Sequence, residues 1–202
     1  MKGDEAMLIN ANVQGSVSPQ AVWVRYMENG MAVVRFTQNV TTSKDANGNT
    51  VYGYEEIEVQ VPDMPDLETY LTANTSFYWE QALAEAKAQQ IAALGVALEA
   101  QYAQGFVSTA LGNSLVFPFD AQSQIKWSWL QGVVNYTTAT TFPSGIQVKD
   151  INGNIYTVTY TQAQQLVTDA MGFFLTWDGH YHTQMDSVNA AQTIPDAFAV
   201  GW

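Results

Sequence analysis

Both histidines of the chain lie in the segment Asp178-Gly-His180-Tyr-His182, and imidazole serves in metal binding and in acid–base chemistry. On a regular helix, Asp178 and His182 are four residues apart and share a face, whereas His180 points roughly 160° away from Asp178. Such a helix cannot bring both imidazoles to one metal ion. We interpret them as surface histidines, with a metal-dependent or catalytic site using His180 and His182 as the less favoured alternative.

The phrase Asp-x-Asn-Gly-Asn occurs twice, at residues 45–49 and 150–154. Alternating Asp and Asn side chains suggest a calcium loop, but an EF-hand loop needs its glycine at the sixth position and a glutamate at the twelfth. Here the glycine is the fourth residue, so the turn is too tight to surround an ion. We interpret both segments as hairpin turns that arose independently.

Other signatures of catalysis are missing from the sequence. It contains no nucleophile elbow, phosphate loop or dinucleotide-binding fingerprint. The carboxylates of Glu55, Glu56 and Glu58 are predicted to lie on a solvated strand face, and Trp129 and Trp177 to pack in a core rather than to form a sugar-binding platform. We therefore expect no enzymatic activity, no cofactor and no metal.

Composition narrows the classes of partner. The 202 residues carry a net charge of −12 and no cysteine. A chain this acidic repels nucleic-acid phosphates, and without cysteine it forms no disulfide or thiolate site. No apolar stretch is long enough for membrane insertion, and the N-terminus has acids where a signal peptide has bases, so we expect synthesis in the cytoplasm without export.

Acidic residues concentrate in the first half of the chain. The densest run extends from Glu55 to Glu68 and includes Asp63 and Asp66. A solvated face is the favoured interpretation of such a run. A docking patch for a basic partner is the alternative.

The order of predicted elements indicates an α+β fold that begins with an antiparallel β domain over residues 1–65. Residues 1–20 are predicted to be irregular, and residues 21–61 to form a three- or four-stranded meander with turns at Glu28-Asn29-Gly30 and at residues 45–49. Alternation in β-rich sequence places Ile57, Val59 and Val61 on one face.

A long connecting helix is predicted over residues 75–105, capped by Thr75 or Ser76 and ended by Gly105. A narrow apolar stripe recurs along it at helical spacing, and this stripe either packs on the chain's own sheet or mediates self-association. A close approach of another helix would explain the mid-helix Gly95. The stripe comprises Leu83, Ile91, Leu94, Leu98 and Tyr102.

Residues 106–202 are predicted to form a small helix–hairpin–helix domain. A short β arm leads to a helix capped by Asp120 that extends to Gly132, and residues 135–145 form a loop. Strands at 146–151 and 155–160 form a hairpin. Thr161-Gln-Ala-Gln164 then provides a capping box for a second long helix.

The order of motifs over about residues 80–202 resembles an α+β domain of unknown function carried by bacteriophage proteins encoded among tail and tail-fibre genes. The resemblance rests on Phe119-Asp120-Ala-Gln-Ser123, the hairpin turn at 150–154, Thr161–Gln164 and the ending Val188-Asn-Ala-Ala191…Phe198-Ala-Val-Gly-Trp202. The chain departs from the family where Met185-Asp186-Ser187 replaces a usual lysine and Gln122 a frequent second acid. These motifs are structural, so no functional residue is transferred with them.

The resemblance implies a non-enzymatic virion protein at the tail, acting as a fibre, baseplate or adaptor subunit. Its expected partners are other tail or fibre proteins and copies of itself, with no nucleic acid and no membrane insertion. The helix stripe is the candidate surface for self-association, and Trp23, Tyr26, Tyr52 and Tyr54 are the candidates for partner attachment. A tail-fibre assembly chaperone that leaves before the virion matures is the alternative.

Overall fold

The computed structural model describes residues 7–26 and 29–202 and confirms the α+β class, with an N-terminal antiparallel sheet, a long helix and further helices after it. Residues 1–6 and the first residue of the predicted Glu28-Asn29-Gly30 turn lie outside the described residues. The strands are β1 (Leu8–Gly15), β2 (Val22–Tyr26), β3 (Met31–Lys44), β4 (Thr50–Pro62), β5 (Phe106–Ser108), β6 (Leu115–Phe117), β7 (Gln147–Lys149) and β8 (Ile155–Thr157). The helices are α1 (Leu67–Ala73), α2 (Thr75–Gln104), α3 (Ala121–Tyr136), α4 (Tyr160–Ala190) and α5 (Ile194–Ala199).

The N-terminal sheet has the strand order β1-β4-β3-β2, and every neighbouring pair is antiparallel. Strands β2, β3 and β4 form the predicted meander. The predicted irregular lead-in is wrong over residues 8–15, because β1 pairs with the outer edge of β4. A bulge between Asn10 and Val13 interrupts the period of β1, and this irregularity hides the strand from a search for alternation.

One face of this sheet is buried, because β3 and β4 alternate apolar and polar residues in register. Val34 lies opposite Val59 and Phe36 opposite Ile57, and both Phe36 and Ile57 are fully buried. Leu67 and Leu71 of α1 and Ala82 and Ala86 of α2 belong to the same core, together with Ile194 of α5. The predicted alignment of Ile57, Val59 and Val61 on one face is confirmed.

Glu55 departs from the predicted solvated face. It is only 6% exposed, and its carboxylate accepts hydrogen bonds from Gln38 Nε2 at 2.9 Å and from Asn39 Nδ2 at 2.8 Å. Asn39 has a φ of 54° at a bulge in β3, which turns its amide toward the acid. Two amide donors make the burial of this carboxylate tolerable, whereas Glu56 and Glu58 occupy the opposite side of β4.

Helix α2 begins at Thr75 and ends at Gln104, as predicted, and its 30 residues extend about 45 Å at 1.5 Å per residue. The predicted role of Thr75 as an N-cap is wrong, because its hydroxyl donates to the Leu71 carbonyl at 3.0 Å. Gly105 ends the helix with a φ of 75°. A Cβ at Gly105 would lie 2.3 Å from the Phe117 carbonyl oxygen, so this position requires glycine.

The residues after α2 form a second core, which is rich in aromatic side chains. Phe106 and Phe117, on the paired strands β5 and β6, stack at 5.6 Å. Trp127 packs edge-on against Phe106 at 5.0 Å, and Phe119 packs against Phe173 at 5.1 Å. These edge-to-face contacts join α3 to the short β5–β6 hairpin and α4 to the segment between β6 and α3.

Two helix boundaries differ from the predicted ones. Helix α3 continues four residues beyond Gly132, to Tyr136. Helix α4 begins at Tyr160, and its capping box uses Thr159 and Gln162 rather than Thr161 and Gln164. The Gln162 Oε1 atom accepts from the Thr159 backbone N–H at 2.9 Å, and the Gln162 N–H donates to the Thr159 hydroxyl at 3.4 Å. Both Thr pairs fit the same spacing rule, so the pattern alone did not distinguish them.

The chain forms two compact units, residues 1–91 with 187–201 and residues 92–186 with Trp202. This division differs from the predicted segments 1–65, 75–105 and 106–202. The boundaries fall inside α2 and inside α4, since a continuous helix contributes to each unit in turn. The C-terminal tail joins the first unit through Ile194, which is buried there, and through Lys87 Nζ, which donates to the Asn189 carbonyl at 2.8 Å.

Candidate functional site

A cleft of about 390 Å³ lies between α3 and the β7–β8 hairpin of the second unit. Its lining is mainly apolar and includes Trp127, Trp129, Leu130, Ile146, Val148 and Ile155. Lys126 and Lys149 also line it, one from α3 and one from β7. An apolar concave surface with a few polar groups is the usual form of a binding site.

Helix α3 presents one apolar face to the core and another to solvent. Ser123, Trp127, Leu130 and Val134 are buried at helical spacing. Ile125 and Trp129, four residues apart on a different face, are 71% and 58% exposed. The prediction that Trp129 packs in the core is therefore wrong, and Trp127 takes that role.

The start of α3 is fixed by Asp120, as predicted. Its carboxylate accepts from the Ser123 N–H at 2.9 Å and from the Ser123 hydroxyl at 3.1 Å. The backbone hydrogen bond from Ser123 lowers the pKa of Asp120 below its usual value. The Trp127 indole N–H donates to the Pro118 carbonyl at 2.8 Å, which holds the ring between the cleft and the core.

The opposite wall of the cleft is set by the turn at residues 150–154, as predicted for a hairpin. Asp150 accepts from the Asn154 N–H and from Asn154 Nδ2, both at 2.8 Å, and from the Tyr156 hydroxyl at 3.2 Å. Burial opposes ionisation of Asp150, but these hydrogen bonds together lower its pKa. Gly153 has a φ of 92°, which the turn requires.

The first Asp-x-Asn-Gly-Asn segment folds in the same way. Asp45 accepts from the Asn47 and Asn49 N–H groups at 2.9 and 2.8 Å, and from Asn49 Nδ2 at 3.0 Å. In both turns the aspartate is therefore occupied by hydrogen bonds from its own turn. The shared sequence reflects shared turn chemistry.

Positive charge in the second half of the chain is confined to the cleft. Lys126 and Lys149 are the only Lys or Arg residues after Lys87 in the sequence, and both side chains are exposed. Within residues 7–26 and 29–202, neither forms an ion pair. The cleft thus combines an exposed tryptophan with two cations that form no ion pair with any residue the structure describes.

The stripe predicted for self-association is largely used inside the chain. Leu94 and Tyr102 are 2% and 5% exposed, and Leu98 packs against the aromatic core of the second unit. Leu83 packs against the core of the first unit, and Ile91 is half-buried. This corrects the interpretation of the stripe as a free surface, because its side chains contribute to the folding of each unit.

The residues predicted for partner attachment do not share one surface. The register places Trp23 on the outer face of the sheet, opposite Arg35, and Tyr26 on the other face. Trp23 and Tyr26 are 39% and 53% exposed, whereas Tyr52 and Tyr54 are half-buried. The Arg35 guanidinium lies 5.3 Å from the Trp23 ring and binds Glu58 at 2.7 Å, so Trp23 is already partly engaged.

The two histidines have different neighbours on the continuous helix α4. His182 Nε2 lies 3.6 Å from Asp178 Oδ2, while the His180 ring packs edge-on against Trp202 at 4.8 Å. Trp202 in turn stacks on Trp177 at 6.0 Å. Among the residues that the structure describes, no three His, Asp or Glu side chains are grouped to hold a metal ion.

In the described part of the chain, no helix combines the length and apolar character that crossing a bilayer requires. No family model, no curated protein and no solved structure matches this chain significantly. The inference about function therefore depends on the cleft and on the order of motifs in the sequence.

Proposed function

We propose that this chain is a non-enzymatic structural subunit of a bacteriophage tail, acting as a fibre, baseplate or adaptor protein in the virion. The observation that carries the proposal is the cleft beside Trp129, where large apolar side chains remain exposed around a concave surface. Trp129 and Ile155 line the cleft and are 58% and 63% exposed, and Ile125, one turn before Trp129 on α3, is 71% exposed. Contiguous exposed apolar surface of this kind is typical of a protein–protein contact.

The chemistry of the cleft favours binding over catalysis. Ser123 is engaged in the helix cap, and the other polar lining residues are Gln147, Lys126 and Lys149. Among the described residues, no histidine or acidic side chain lines this cleft, and Ser123 is buried with its hydroxyl donating to the capping carboxylate of Asp120, so it is not presented as a nucleophile. Tryptophan is enriched among the residues that dominate binding energy at interfaces.

The assignment to a phage tail is supported by the order of motifs over residues 80–202. Asp120 caps α3, which forms one wall of the cleft, and the turn at residues 150–154 joins β7 and β8, which form the other wall. The motifs that resemble the phage domain therefore also build the surface that we propose to be functional. Partners under this proposal are neighbouring tail or fibre proteins and further copies of this chain.

Mass spectrometry of purified virions, from the phage that encodes this chain, tests the proposal. We expect peptides of the chain in the particle at a constant ratio to a known tail protein, with an early non-virion protein as the negative control. Presence in the infected cell but absence from the particle would instead support the assembly chaperone. Absence of any link to particle assembly in a deletion strain would contradict both.

A further inference from the structure

The cleft beside Trp129 would be complemented by a ligand that is both apolar and negatively charged. Its lining is mainly apolar, and Lys126 and Lys149 lie in it without an ion-pair partner among the described residues. A ligand with an apolar side chain between carboxylates would cover the tryptophan and neutralise both cations. Electrostatic complementarity of this kind selects the partner and its orientation.

One exposed segment of the chain itself has this chemistry. Between β4 and α1, the sequence Asp63-Met64-Pro65-Asp66 places an apolar side chain between two acids, and all four residues are exposed. Met64 is 39% exposed, and neither aspartate forms an ion pair within the described ranges. A methionine side chain is unbranched and polarisable, so it adapts well to an aromatic-lined cleft.

We propose that the segment Asp63–Asp66 of one copy of this chain docks in the Trp129 cleft of a second copy. Met64 covers Trp129 and Ile155, while Asp63 and Asp66 face Lys126 and Lys149. This deepens the proposed function and rests on it, since it names a self-assembly contact for the tail subunit. It also gives the acidic run of the sequence a role as a docking patch for a basic partner.

The symmetry of this contact has a structural consequence. The two surfaces are different, so the interface is heterologous. After one contact forms, the pair retains one free segment on one copy and one free cleft on the other. Heterologous interfaces generate closed rings when the rotation closes and helical filaments when it does not. We therefore expect concentration-dependent growth beyond a dimer.

Charge reversal on the full-length chain tests the contact. One variant carries Lys126→Glu with Lys149→Glu, and the other carries Asp63→Lys with Asp66→Lys. Each variant alone has two surfaces of like charge, so we expect its self-association in sedimentation velocity to weaken by at least about tenfold. In an equimolar mixture, the segment and the cleft of one variant each meet a surface of opposite charge on the other variant, so we expect association to recover. A single chain with all four substitutions should also associate, because its segment is basic and its cleft is acidic.

The controls separate this contact from general charge effects and from misfolding. Arg25→Glu with Lys44→Glu matches the charge change of the first variant, and Glu85→Lys with Glu99→Lys matches that of the second. Both control variants change exposed residues elsewhere and are expected to associate like the unmodified chain. Circular dichroism melts check that each variant is folded, and association of the unmodified chain is expected to weaken with added salt.

Three results would overturn the inference: a monomeric unmodified chain up to millimolar concentration, charge-reversed variants that associate normally, or a mixture that fails to recover association. These outcomes are distinct from failure of the proposed function. A chain that is present in virions but monomeric in solution would contradict only the self-docking. A chain that self-associates but is absent from virions would contradict only the structural role in the particle.

Discussion

At the scale of single residues, Trp127 and Trp129 perform opposite tasks although they are two positions apart on α3. Trp127 is 8% exposed and hydrogen-bonded to Pro118, whereas Trp129 is 58% exposed at the cleft. One ring stabilises the second unit, and the other is available to a partner. This separation allows the fold and the proposed contact to be tested independently.

We expect Trp129→Ala to change the free energy of unfolding by less than about 0.5 kcal/mol, as for most exposed positions. The matched change Trp127→Ala removes a buried ring and is expected to cost about 3–5 kcal/mol. Urea unfolding of both variants measures the stability, and sedimentation velocity measures the association. Equal destabilisation by both changes, or unaltered association of Trp129→Ala, would contradict the proposed roles.

Asp120 supplies a second residue-scale prediction, because its carboxylate caps α3 and has a lowered pKa. Asp120→Ala is expected to cost about 1 kcal/mol at neutral pH. A carboxyl whose pKa is lower in the folded state contributes stability that is complete above its unfolded pKa. This contribution is lost as the pH falls through the lowered folded pKa.

Unfolding measured at pH 7 and at decreasing pH values below 4 therefore separates the charge of Asp120 from its geometry. The difference between the unmodified chain and Asp120→Ala should shrink as the acid titrates. Asp120→Asn, which retains a capping oxygen, should keep most of the stability and lose the pH dependence. A difference that stays constant down to the lowest pH would exclude an ionised cap.

At the scale of elements, two glycines close together in the sequence differ in whether the structure requires a glycine there. Gly105 ends α2 in the left-handed region, against the Phe117 carbonyl. Gly95 lies inside α2, and a Cβ there would meet nothing within 4 Å. No other helix of the described chain approaches Gly95, so a close approach there stays a prediction for a helix of a second copy.

We expect Gly105→Ala to destabilise the chain by at least about 2 kcal/mol, because a left-handed backbone conformation and a steric clash add. Gly95→Ala should stabilise it by roughly 0.5–1 kcal/mol through helix propensity. Thermal unfolding of the two variants measures both the expected destabilisation and the expected stabilisation. Stabilisation by alanine at Gly105 would show that the helix end is misplaced.

The structural elements also show which features of the fold could be predicted from the sequence and which could not. Turn and cap chemistry is local, so the sequence predicted both Asp-x-Asn-Gly-Asn turns, the Asp120 cap and the end of α2 at Gly105. The pairing of β1 with β4 depends on contacts across about 45 residues and on a bulge, and neither is visible in a local pattern. The burial of Glu55 likewise depends on amides supplied by a different strand.

At the scale of the whole molecule, the sequence predicted the class of fold but not the candidate site. The cleft requires α3 and the β7–β8 hairpin to lie side by side, although they are separated by a Thr-rich segment of the chain. Two signals in the sequence point toward it: the apolar pair Ile125 and Trp129 lies off the buried stripe of α3, and only two basic residues follow Lys87. By contrast, the apolar stripe of α2 packs mainly within the chain.

The most direct test of the central claim, that the Trp129 cleft contacts another protein chain in the assembled tail, is photo-crosslinking within virions. A photoreactive phenylalanine derivative replaces Trp129 during infection, with the same substitution at Tyr136 as control, since Tyr136 is 92% exposed on the same helix. We expect position 129 to cross-link to a tail protein or a second copy far more than position 136. Cross-linking from position 129 no stronger than from position 136, in particles that contain the chain, would contradict the claim.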